Sequence, residues 1–76
     1  MEYNNSTYIT LLTTHAELLG ISENNRKSNN GTITIIEYSE NETIPQEVIN
    51  VVINTMTHQQ ALELVETNEW KSNIII

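Results

Sequence analysis

The chain contains no cysteine and no aspartate, and only two glycines and one proline in 76 residues. Without cysteine there is no disulfide framework and no thiolate metal site. A domain this short buries only about 60% of the surface its unfolded chain exposes, which leaves a small margin of stability. Dimerisation is one remaining way to gain buried area. The length suits a single domain over residues 1–76, and no linker divides it. The lack of cysteine also fits a reducing compartment.

Long apolar runs are missing as well. No stretch approaches the roughly 18 apolar residues that a membrane span needs; the nearest is Ile74-Ile75-Ile76. Met1-Glu2-Tyr3-Asn4-Asn5 has no basic n-region, so no signal peptide is expected. A cytoplasmic protein is the expectation. The isolated Gly20 and Gly31 form no phosphate-cradling loop.

Positive charge is scarce. Arg26, Lys27 and Lys71 stand against 10 glutamates, for a net charge of -7. Binding to nucleic-acid phosphates needs a basic surface, so a direct nucleic-acid partner is not expected. The same holds for an anionic membrane. The electrostatic complement of this chain is a basic protein surface.

His15 and His58 are the only imidazoles, and they fall in different elements without ligand spacing, so neither a metal nor another cofactor is expected. Glutamates are numerous enough to form an acid–base pair, but nothing in the sequence marks a cleft that would shift their pKa values. The chain is therefore not expected to be an enzyme.

Periodicity and turn residues outline an α+β fold. Ser6 to Leu19 reads as an amphipathic helix, with Tyr8, Leu11, Leu12, Ala16, Leu18 and Leu19 on one face. Strand propensity competes over Tyr8–Thr14, and periodicity favours the helix. Gly20 suits the left-handed position after it, with Ile21 making the apolar contact of a Schellman motif. The polar stretch from Ile21 to Gly31 reads as a loop ending in the Asn30-Gly31 turn.

Thr32 to Tyr38 is a β-branched, alternating strand. Ile44 to Thr55 reads as a helix, with Thr43 and Gln46 at capping-box spacing and Pro45 in the first turn. Thr57 opens a second consecutive helix, boxed by Gln60. Trp70 to Ile76 reads as a short C-terminal strand, pairing with Thr32–Tyr38 within the chain or across a dimer.

Glu37, Glu40, Glu42 and Glu47 cluster between the strand end and the next helix, and Glu63, Glu66 and Glu69 follow helical spacing. The plain reading is a solvated face that maintains solubility. The functional reading is an acidic surface whose carboxylates imitate backbone phosphates and take over Arg and Lys contacts in a nucleic-acid-binding groove.

The segment from Gly31 to Asn54 includes Gly31-Thr32-Ile33, Glu37-Tyr38 and Ile44-Pro45-Gln46-Glu47-Val48. In kind and order it resembles the phage-encoded uracil-DNA glycosylase inhibitors, which are small acidic DNA mimics. The resemblance covers about a third of the chain. It implies a protein from a phage or mobile element, acting in the host cytoplasm on the basic groove of that enzyme. It further implies Glu37, Ser39 and Glu40 as groove-facing residues, joined by Glu42 and Glu47 from the same acidic cluster. Val48, Val52 and Met56 would line a pocket for an apolar loop of the enzyme. In place of the Glu-Ser-Ile tripeptide common in those inhibitors, this chain has Glu37-Tyr38-Ser39-Glu40. An anti-CRISPR or anti-restriction inhibitor is an alternative. So is a homodimeric structural or regulatory protein, joined through Trp70–Ile76 without DNA mimicry.

Overall fold

A computed structural model describes residues 6–67 and 70–72. Four antiparallel strands form the sheet: β1 (Thr7–Leu12), β2 (Arg26–Asn29), β3 (Ile33–Tyr38) and β4 (Asn54–Met56). A two-residue β5 (Lys71–Ser72) extends it past β2, giving the order β4-β1-β3-β2-β5. The helices are α1 (Thr13–Leu18), α2 (Gln46–Ile49) and α3 (His58–Thr67).

This arrangement corrects the expected order of helix, strand, two helices and strand. The first half of the expected Ser6–Leu19 helix is β1, held between β3 and β4. Tyr8, Ile9, Thr10 and Leu11 are 1%, 2%, 3% and 0% exposed. A strand covered on both faces buries consecutive residues, and such a run is easily taken for a broad helical face. Leu18, placed on that face, is 83% exposed. Only α1 remains helical, and it ends as its residues dictate. Gly20 has φ 63°, the Ile21 N–H donates to the Ala16 carbonyl, and the Gly20 N–H donates to that of Glu17. These are the two bonds of a Schellman motif.

The expected Ile44–Thr55 helix shrinks to the single turn α2, whose N-cap is Pro45 and has no side-chain cap. Beyond it the β-branched run Val51-Val52-Ile53 is a poor helix former. The chain straightens there: the Ile53 N–H donates to the Thr10 carbonyl, and β4 pairs with Tyr8–Thr10. The polar Ile21–Gly31 segment is not all loop. It contains β2, whose register against β3 shifts around Lys27 as in a bulge. Asn30-Gly31 becomes the turn of the β2–β3 hairpin, with Asn30 Oδ1 accepting the N–H groups of Thr32 and Ile33. β5 pairs with β2 and not with β3. Residues 73–76 of the expected last strand lie outside the described residues.

Strand alternation sorts the core into two layers. Ile9, Leu11, Ile36 and Tyr38 face Ala16, Ile21 and Val48, with Ile44, Val51 and Val52 packed beside them. On the other face, Tyr8 and Ile35 meet Ala61 and Val65 of α3, flanked by Met56, Leu62, Leu64 and Trp70. The cap of α3 is reciprocal: the Thr57 N–H donates to Gln60 Oε1, and the Gln60 N–H donates to Thr57 Oγ1.

Candidate protein-binding site

The acidic residues singled out from the sequence divide into two groups. Ser39, Glu40 and Glu42 occupy the turn after β3, and Glu47 opens α2; the three glutamates are exposed. Glu42 is fastened there. Its carboxylate accepts the Ser39 N–H at 2.9 Å and the Asn25 Nδ2 amide at 3.3 Å. The Ser39 N–H, then the Asn25 amide, and more weakly Lys27 hold its pKa below the ordinary carboxylate value. The carboxylate is therefore ionised at neutral pH and points from a fixed position.

Glu37 belongs elsewhere. It lies opposite Tyr8 in the β1–β3 register and shares the α3 face. Its carboxylate accepts the Tyr8 hydroxyl at 3.0 Å and pairs with Lys27 at 3.5 Å. The Tyr8 oxygen is also 2.8 Å from His58 Nδ1. The result is a polar chain, His58–Tyr8–Glu37–Lys27, spanning the sheet from the β4 side to β2. Nothing in the linear sequence announces it, because it depends on the register.

The three apolar residues do not line one pocket. Val48 is buried and Val52 half-buried in the first core layer, whereas Met56 packs in the second. Val48 also contributes to a cleft of about 270 Å³ with Leu19, Ile21, Asn25, Pro45 and Glu47. Tyr38 closes its wall, and its hydroxyl pKa is raised by burial and by the nearby Glu42 charge. Met56 lines a separate, open groove of about 430 Å³ with Gln60, Glu63 and Leu64. Sequence reading missed Leu19, Ile21, Asn25 and Pro45 as neighbours of the acidic turn. The available signal was Gly20, whose reversal brings Leu19 and Ile21 around to α2.

The bases are drawn inward. Arg26 Nε donates to the Ile21 carbonyl at 2.9 Å, and Lys27 pairs with Glu37. Glu17, Glu23, Glu40, Glu42, Glu47, Glu63 and Glu66 are all exposed. Among the described residues there is no group of three His, Cys, Asp or Glu side chains able to hold a metal ion. No helix among them is long and apolar enough to cross a membrane. Comparison with protein-family models, with curated proteins and with solved structures gives no match.

Proposed function

We propose that this chain is a protein-binding inhibitor that occupies the basic, nucleic-acid-binding groove of an enzyme, with uracil-DNA glycosylase as the first candidate. One observation carries the reading: exposed Glu47 lines a cleft and exposed Glu42 is bonded to Asn25 in its wall, while Arg26 and Lys27 are each bonded to a partner within the fold. Among the described residues, exposed glutamates outnumber Arg26 and Lys27, and the complement of such a surface is a basic partner. The glutamates present charge in the manner of phosphates, and the cleft adds a shaped, partly apolar element that a plain solvated face lacks. The choice of enzyme rests on the resemblance of the Gly31–Asn54 segment.

The structure refines which residues to test. Glu37 is tied to Tyr8 and Lys27, so replacing it perturbs the fold along with the surface. The informative set is Glu40, Glu42 and Glu47, compared with Glu63 and Glu66 on α3. Uracil excision from a duplex should be inhibited competitively with DNA, and inhibition should weaken steeply as salt rises. The triple variant E40Q/E42Q/E47Q should lose far more inhibition than E63Q/E66Q. Equal losses would reject the localised surface. Absence of inhibition at low salt would reject uracil-DNA glycosylase as the target.

A further inference from the structure

The cleft between the turn that follows α1 and the start of α2 combines features that one kind of side chain satisfies together. At about 270 Å³ it has room for a single protruding side chain. Leu19, Ile21, Pro45 and Val48 supply apolar lining, and Glu47 supplies a carboxylate. Asn25 lines it too, and its amide reaches the Glu42 carboxylate. An apolar channel next to fixed negative charge matches a side chain with a long apolar stem and a cationic tip.

We infer that this cleft is a socket for one arginine side chain presented by a protein partner. The stem lies along the apolar lining and the guanidinium meets Glu47, with Glu42 adding to the field. Arginine fits better than lysine, because its planar fork pairs with carboxylates in two-point fashion. Among the described residues, Lys27 pairs with Glu37 and Arg26 Nε is bonded to the Ile21 carbonyl. A leucine would use the walls and gain nothing from the carboxylates. The inference rests on the proposed inhibitor role only for the origin of the arginine.

The socket can be tested without any partner. The ¹⁵N-labelled full chain is titrated at low salt with N-acetyl-arginine methylamide, its uncharged citrulline counterpart and the leucine equivalent. The arginine probe should shift the amides of Gly20, Ile21, Ser22 and Val48 in a saturable way. The citrulline and leucine probes should bind about fivefold more weakly, and E47Q should weaken the arginine probe by about threefold. Equal binding of the leucine or citrulline probe, or saturable shifts confined to other residues, would overturn the inference. Binding of the arginine probe by a chain that fails to inhibit uracil-DNA glycosylase would uphold the socket and reject that target. Inhibition without probe binding would do the reverse.

Discussion

The two faces of the sheet are covered in different ways. One carries α3, a ten-residue helix with a reciprocal cap, two buried contact residues and a flank of half-buried side chains. The other carries α1, a single turn of α2 and the segments joining them. The α3 face is covered by this one helix, with an open groove beside Met56 and a polar chain linking His58, Tyr8, Glu37 and Lys27. The opposite face is pieced together from short elements fastened by individual bonds, and where the pieces meet, a cleft and an exposed acidic turn remain. A small domain with little area to spare covers one face with a single helix and the other with several short elements.

The largest expected effects test whether the two layers unfold together. Leu11→Ala on the cleft face and Ile35→Ala on the α3 face each remove a fully buried side chain. Each should cost about 3 kcal/mol in urea unfolding followed by circular dichroism. Two separate transitions in either variant would break the view of one cooperative unit. Next comes Tyr8→Phe, which deletes the hydroxyl shared by Glu37 and His58. It should cost about 2 kcal/mol, since the lost partner serves a partly buried charged group. A change near zero would mean that the polar chain does not hold the α3 face.

Thr10 should respond with the opposite sign. It shares the α3 face with Tyr8, is buried, and its hydroxyl has no hydrogen-bond partner among the described residues. Thr10→Val keeps the shape, removes the orphan group and should stabilise the chain by about 1 kcal/mol, read as a rise in the urea midpoint. The smallest effect belongs to the cleft face. Because its folded pKa is depressed, Glu42 contributes stability that is whole above its ordinary value of 4.5. That contribution is lost as the pH falls through the lower folded value. Glu42→Gln should flatten the acid slope of stability over this window and lower stability slightly at neutral pH, where the ionised carboxylate makes its contribution. An unaltered slope would show that the turn is held by other bonds.

What could be read from the sequence follows the locality of the interactions. The Thr57–Gln60 cap, the Gly20 reversal and the Asn30-Gly31 turn are set by residues within a few positions of each other, and they appear where those residues predict. The alternation of Ile33 to Tyr38 was likewise legible. β1 was not, because being covered on both faces erases the alternation that marks a strand. β2 owes its place to pairing on either side and contains little apolar sequence. β4 is three residues long and exists because β1 offers an edge. The acidic turn was visible as a run of glutamates, but its separation from Glu37 was not. That separation depends on the β1–β3 register, and the placing of Met56 in the layer away from Val48 depends on the β1–β4 pairing.

The hydroxyl of Tyr8 has a single proton, and this gives the polar chain across the sheet a direction. Donation to Glu37 at 3.0 Å uses that proton. The oxygen can then only accept from His58, 2.8 Å away, so His58 must carry hydrogen on Nδ1. The order is fixed from both ends: imidazole to phenol to carboxylate on one side, and ammonium to carboxylate on the other. Every proton in the sequence points toward Glu37. That one glutamate thereby sets which nitrogen of His58 bears hydrogen toward Tyr8, and Glu37→Ala, which removes the acceptor, would free the Tyr8 proton to turn toward His58.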